Sequence, residues 1–556
     1  MKQSVNSVVI MGGGVVGWFT AALLSKRHPD IKVTVIESPK VPILGVGEST
    51  IPQLGDLLEW VGIDEFDWMK AVHGIHKLGN HFVGWNTEQP MPTPYHHWNA
   101  PKDAQQFYTF SYTFQQDAFK RSFYHKWTND DYFNDTTGKF GIDHKSFDYW
   151  LNMVREGKAN WWEVGDYTGE QYAFAMNNKS AYDMDNRLLL GDWHSYAWHV
   201  DAERFPKMIR DMVALPRGVE WIKEHVDNIY QDEDGYITSL HCDSGRIIEG
   251  DLFVDCTGFN RFLMKAVGAK WHSIDHLPTQ SAWAAPVRYN DPATEMKPYT
   301  QSYAQPNGWN FIITLYSRMG SGYIFDANSE DEDSARERFI QYWGDHRLIR
   351  EPRLITWDQG YYKQAWMKNV VGVGMGQGFV DPMEANSIYV AQSCMEMLDK
   401  ALTKYRGRPI SEHTKGAYTR QVQKLENQIA DFVSYHFTLS KRTDSPMWRK
   451  WGNRQADIDR NWHEYSAPRG YLGRNIFLDY QWAQQQHYLG QWREKYDQDL
   501  HIDPRVQPLA EMDFCYLRDK SRALAEYAPN VYEWSKHNLY DGAEHHEILE
   551  QALAER

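Results

Sequence analysis

Residues 7–27 read SVVIMGGGVVGWFTAALLSKR, and residues 32–37 read KVTVIE. The first stretch is an apolar run from Ser7 to Met11, a glycine turn and a helical pattern from Trp18 to Arg27. The second, Lys32 to Ile36, has the β-branched composition of a buried strand and ends on an acid, Glu37. Gly12, Gly14 and Gly17 have GxGxxG spacing, with Val15 and Val16 between the last two. The first glycine permits a tight turn, the second lets backbone approach a pyrophosphate, and the third packs helix on strand. Glu37 lies about twenty residues past Gly17, where a carboxylate accepts from ribose hydroxyls. A Rossmann-like α/β domain with a dinucleotide site is predicted. An acid at that point fits an unphosphorylated ribose, hence FAD or NAD rather than NADP.

Composition narrows the partners. The chain has 556 residues, room for two or three lobes. Lys plus Arg total 59 against 74 Asp plus Glu, a net charge of −15, which argues against a nucleic-acid backbone as ligand. The four cysteines, Cys242, Cys256, Cys394 and Cys515, lack CxxC spacing, so neither a disulfide framework nor a metal site is expected. The start leads straight into a strand pattern, with no apolar run of signal-peptide or membrane-span length, and a cytoplasmic protein without membrane partners is expected. Aromatics are dense, at 24 Trp, 33 Tyr and 24 Phe, which suits large apolar cavities as well as packing.

Further along, Gly45-Val46-Gly47-Glu48-Ser49-Thr50-Ile51-Pro52 is a second glycine-rich loop, with Ser49 and Thr50 read as caps for a helix through Trp60. Ile75 to Val83 has extended character and sets Lys77 among apolar residues. Pro90 to about Trp193 is an aromatic-rich insertion, read as one side of a pocket. His199 to about Val213 reads as a helix, followed by a strand at Val219 to Ile222 and a hairpin, Asn228 to Asp232 with Tyr236 to Cys242. Ile247 to Asp255 reads as one strand ending in the turn Asp255-Cys256-Thr257-Gly258. Strands at Trp283 to Arg288, Trp309 to Tyr316 and Gly322 to Phe325 predict a second, antiparallel sheet, and the chain past Lys400 is mostly helical to a last helix at Ala543 to Arg556. Between them, Asn369 to Gly374 reads as a buried strand entering a glycine turn, an Asp381-Pro382 break, and Asn386-Ser387 opening a helix through Val390, Cys394 and Leu398. The unpaired N–H groups and dipole of a helix start favour an anion or an electron-rich cofactor edge, and Glu384 lies beside that end.

These motifs, in this order, resemble the flavin-dependent halogenases of the tryptophan halogenase family: GGGVVGW at Gly12 to Trp18, GVGESTIP at Gly45 to Pro52, Lys77, DCTGF at Asp255 to Phe259, FVDPMEANSI at Phe379 to Ile388, and HFTLSKRTDSPMW at His436 to Trp448. The resemblance spans nearly the whole chain. It implies a FAD-binding domain of the flavoprotein monooxygenase type with a second sheet, formed by residues 1–90 and 195–400 and also activating halide. It further implies a substrate-pocket insertion at 91–194 and a mainly helical substrate-binding part at 401–556. By the same resemblance a separate flavin reductase supplies FADH2, halide becomes hypohalous acid, and that acid reaches the catalytic lysine, matched by Lys77. Glu384 matches the essential glutamate, and Asn386 and Ser387 the halide site. Gly47, Glu48, Ser49, Thr50 and Asp381 join the cofactor set, and His96, Trp98 and Trp448 match the small-aromatic substrate pocket. A homo-oligomer is compatible with it.

Two departures stand out. The family's Gly-Trp-x-Trp-x-Ile-Pro appears as Gly308-Trp309-Asn310-Phe311-Ile312-Ile313-Thr314, which lends weight to an alternative, a flavin monooxygenase hydroxylating an aromatic substrate. At the halide site a Ser-Thr-Gly pattern becomes Ala385-Asn386-Ser387. Serine in place of glycine restricts the backbone if φ is positive there, and a reshaped pocket is expected to prefer bromide or iodide over chloride.

Overall fold

A computed structural model describes residues 4–42, 45–85, 105–109, 143–160, 163, 166–167, 170–190, 196–452, 454, 502, 504 and 507–540. They form two compact units that interleave along the chain. One comprises Met1–Gly74, Val200–Gln280 and Thr356–Ala430, the other Ile75–His199, Ser281–Ile355 and Asp431–Arg556. The boundaries expected at 90, 195 and 400 follow the sequence, whereas packing sets the strands from Ser281 to Phe325 with the second unit.

The first unit is built on a six-stranded sheet in the order Trp366–Met367, Val370–Gly372, Leu252–Asp255, Ser7–Met11, Lys32–Ile36, Glu220–Ile222. All neighbours pair in parallel except the antiparallel edge strand Trp366–Met367. Val8, Val9 and Ile10 are buried on both faces, as parallel strands covered from two sides require. The helix Val15–Arg27 returns from the central strand with Trp18 to Leu24 buried. Gly12 has φ of +121°, and a Cβ on it would stand 2.2 Å from the Cys256 carbonyl oxygen; one on Gly17 would stand 1.9 Å from the Gly12 oxygen. Glycine is therefore required at both places for strand, turn and helix to close on each other.

Three local expectations are corrected. The run Ile247 to Asp255 is two strands in two sheets, Ile247–Glu249 and Leu252–Asp255. The chain breaks at Gly250-Asp251 because the Asp251 carboxylate turns back to accept from the Asn6 and Ser7 N–H groups at 2.8 and 3.0 Å. Ser49 and Thr50 do not cap the next helix: Ser49 lies in the short strand Glu48–Ser49, and Gln53–Val61 starts behind Pro52 without a side-chain cap. His199 belongs to the strand Ala197–Val200, and the helix begins only at Arg204, whose N–H donates to the Asp201 carboxylate at 3.1 Å.

The second unit carries a seven-stranded sheet in the order Arg353–Thr356, Ser281–Val287, Met319–Phe325, Gly308–Thr314, Thr300–Gln305, Gly79–Val83, Gln105–Thr109. The helix Glu332–Trp343, capped by the Asp331 carboxylate on the Ser334 N–H, packs Phe339 and Trp343 into a core with Tyr303, Tyr323 and Phe325. The strand Ile75–Lys77 pairs antiparallel with Ala197–Val200. Among the described residues no helix is long and apolar enough to cross a membrane. The expected last helix, Ala543 to Arg556, lies outside the described residues.

Candidate functional site

The first unit holds a cavity of about 280 Å³, open to solvent, whose wall includes Gly12, Gly14, Val15, Val16, Glu37 and Glu48. It is bounded further by Thr257, Gly258, Phe259 and Met375. Gly14 sits at the N-cap of the helix Val15–Arg27, makes no side-chain cap, and would direct a Cβ into open space. Free N–H groups, a bare backbone and no acid in the first turn suit a pyrophosphate. Glu37 crosses over Gly13, where a Cβ would fall 2.3 Å from its Cγ, and accepts from the Trp221 indole N–H at 2.9 Å. Its carboxylate is thus fixed at the end of the strand where a ribose would lie. These features fit FAD. Gly17, Gly47, Ser49, Thr50 and Asp381 are not on this wall. Burial pushes the Glu48 carboxyl up to about 7.

Asp255 organises the facing turn. Fully buried, its carboxylate accepts from the Thr257 N–H and hydroxyl at 3.0 and 2.6 Å and from the Leu263 and Met264 N–H groups at 2.8 and 2.9 Å. Burial nevertheless raises its pKa above the ordinary carboxylate value.

A smaller pocket adjoins the cavity, and Met375 and Ser387 lie on both walls. Its remaining wall includes Phe379, Asp381, Asn386, Val390 and Glu426. The helix Ser387–Lys404 starts here with Asn386 at the N-cap and no side-chain cap bond. Asn386 is 5% exposed, and its Nδ2 has no hydrogen-bond partner among the described residues. Asp381 is fixed from three sides: it accepts from the Thr279 hydroxyl and from the Met383 N–H at 3.0 Å, while its own N–H donates to the Gln359 side-chain oxygen at 3.1 Å. That cage turns the chain at Asp381-Pro382 and delivers it to the helix start. The left-handed residue is Ala385, with φ of +54°, and Ser387 opens the helix, so the expected restriction of a positive-φ serine does not arise. The Glu384 backbone closes the turn Pro382–Glu384; its side chain lies outside the described residues.

In the second unit Lys77 is fully buried at the end of its strand. Its neighbour His199 is also fully buried, with Nδ1 3.0 Å from the Thr314 carbonyl oxygen and Nε2 2.9 Å from the Thr300 hydroxyl. A carbonyl only accepts, so Nδ1 carries the proton and Nε2 accepts. Burial, then the charge of Lys77, pushes the imidazole down to about 3. Thr314, standing where the family pattern has proline, also donates its hydroxyl to the Lys297 carbonyl at 2.6 Å. Lys77 thus faces a neutral histidine, a residue that sequence reading had placed at a helix start. Nothing in the local sequence marks it, because its partners lie 115 and 101 positions away.

Trp448 is fully buried in an aromatic cluster with Trp85 and Phe437 and donates its indole N–H to the Gln305 carbonyl at 2.9 Å. Arg442 lies over its ring at 4.8 Å and holds the Gly84 carbonyl at 2.7 Å. His96 and Trp98 lie outside the described residues.

Comparison with known proteins agrees with this architecture. The family model for tryptophan halogenase matches residues 7–475. The tryptophan 6-halogenase ThaL of Streptomyces albogriseolus is 30% identical over 459 residues, covering 81% of this chain and 79% of that protein. The tryptophan 7-halogenase RebH of Lentzea aerocolonigenes is 28% identical over 454 residues, covering 81% and 79%. Among solved structures, BrvH, a flavin-dependent halogenase from Brevundimonas sp. BAL3, superposes with a TM-score of 0.76 at 26% identity, over 95% of this chain and 98% of that one. With the fold and the match extending over most of its length, the chain belongs to the tryptophan halogenase family.

Proposed function

We propose that the protein is a flavin-dependent halogenase that takes FADH2 from a separate reductase and uses O2 and halide to halogenate an electron-rich aromatic or indole. The observation that carries this reading is the pairing of two adjoining cavities: one fits a dinucleotide, and the other is small, polar and placed at a helix start with an unpaired, buried amide donor. When bound, reduced FAD would supply two of the four electrons that O2 takes on its way to water, and halide would give up the other two in becoming an electrophile. Gly12, Gly14, Val15, Val16 and Glu37 hold its phosphates and ribose. The Asn386 amide and the free N–H groups at Ser387 hold the halide beside it. Lys77 receives the hypohalous acid and presents its halogen to the substrate, and Glu384 takes the proton lost from the ring. Bromide and iodide are preferred over chloride because they are less strongly hydrated and more easily oxidised, which matters in a buried pocket.

The test is mass spectrometry of products from enzyme, FAD, NADH, a generic flavin reductase and an indole panel with chloride, bromide, iodide or no halide, alongside Lys77→Ala and Glu384→Ala. A halide-dependent mass shift lost in both variants is expected. Oxygen addition that needs neither halide nor Lys77 would instead establish the hydroxylase.

A further inference from the structure

Glu426 is an acid in the pocket assigned above to halide. It lies on the helix Glu412–Thr438, is 2% exposed, and lines the same wall as Asn386, Ser387 and Asp381. Its one hydrogen-bond partner among the described residues is neutral: the Gln377 amide donates to Oε1 at 2.6 Å. Gly378 leaves the space that Oε1 occupies, since a Cβ there would stand 2.7 Å from it. No cation forms an ion pair with it among the described residues, and an unpaired carboxylate at this depth is strongly disfavoured against the neutral acid. An ionised Glu426 would also add a second negative charge beside Asp381, where an anion has to bind.

We propose that Glu426 is a halide-site residue that acts in its protonated form, donating a hydrogen bond to the halide and so coupling halide binding to uptake of one proton. This rests on the halogenase reading of the pocket. The stoichiometry agrees: Ar–H + X⁻ + FADH2 + O2 + H⁺ gives Ar–X + FAD + 2 H2O, so each halide oxidised and transferred consumes one proton, while O2 is reduced to water and FADH2 supplies two electrons. Bringing the proton in with the anion leaves the net charge of the buried pocket unchanged. Three other groups act on Glu426. The Gln377 hydrogen bond favours ionisation, as does the charge of Arg261; the Cys394 thiol, pushed up to about 12 by burial, stays neutral. Burial outweighs both the Gln377 hydrogen bond and Arg261 and pushes Glu426 up to about 7, within the working range of an enzyme.

Bromide is titrated calorimetrically into the FAD-loaded protein at pH 6, 7 and 8, in buffers of differing ionisation enthalpy, for wild type and Glu426→Gln. Glutamine keeps an N–H donor and cannot titrate. In wild type the dissociation constant should rise about tenfold from pH 6 to pH 8, with close to one proton taken up per bromide at the upper end. In Glu426→Gln the affinity should stay near the wild-type pH 6 value throughout, with no proton uptake. Saturable binding in wild type that is flat with pH and takes up no proton overturns the role of Glu426 and leaves the halide pocket standing; so does a variant that keeps the wild-type slope. No saturable bromide binding at any pH in wild type overturns the pocket reading and this inference together.

Discussion

Lys77 is enclosed by protein, and a titratable neighbour, His199, is held neutral by burial and by the charge of Lys77. Replacing Lys77 with methionine keeps the length and removes the charged donor. Halogenated product should fall by about 10²–10⁴-fold, the usual span for a positioned proton-transfer group. FAD affinity, measured by flavin fluorescence, should hold, because the dinucleotide cavity is built from other segments. A variant that halogenates at the wild-type rate would remove Lys77 from the mechanism. At the pocket proposed for halide, Asn386→Leu deletes an amide donor that no described protein group uses. A hydrogen bond to a charged partner contributes about 1.5–3 kcal/mol, so the bromide dissociation constant should rise roughly tenfold or more. Equal affinity in the variant would mean that the amide does not face the halide.

The glycine turn between Ser7–Met11 and Val15–Arg27 works only as an assembled element. Gly12→Ala forces a Cβ against the Cys256 carbonyl at a φ that alanine rarely adopts. Relieving that contact means moving the strand away from the turn at Asp255. Thermal melts should show a loss of about 1–3 kcal/mol, typical of an overfilled site, and FAD affinity measured by flavin fluorescence should fall. Retention of both would show that the turn can open without cost. The segment around Trp448 is tied down differently, by one indole N–H and the Arg442 bridge to Gly84. Trp448→Phe should cost about 1 kcal/mol for the hydrogen bond beyond its packing loss. Urea denaturation of Trp448→Phe measures it.

Over the whole molecule, the buried neutral histidine makes stability depend on pH. The unfolded chain protonates His199 below about 6.5, while the folded protein resists protonation down to about 3. The unfolded state therefore binds more protons between those values, so stability is full above about 6.5 and declines as pH falls toward 3. Melting temperatures at pH 7.5 and pH 5 should differ more in wild type than in His199→Gln, which keeps polar contacts and cannot charge. Parallel changes in the two proteins would assign the acid sensitivity to other groups.

The dinucleotide half of this protein was legible in the sequence because its determinants are local. Gly12, Gly14 and Gly17 sit within a single strand-turn-helix, and Glu37 closes the next strand, so spacing alone states the geometry. The start of the helix at Asn386-Ser387 was legible for the same reason. Glu426 and His199 were not. Glu426 falls in a stretch whose sequence shows only helix until packing sets it 2.6 Å from Gln377, 49 positions away. His199 reads as the opening of a helix until strand pairing encloses it beside Lys77. Periodicity reports which face of an element is apolar; it does not report which distant segment covers a polar residue. Burial of that residue, and hence its charge, is decided only when the tertiary structure removes it from water.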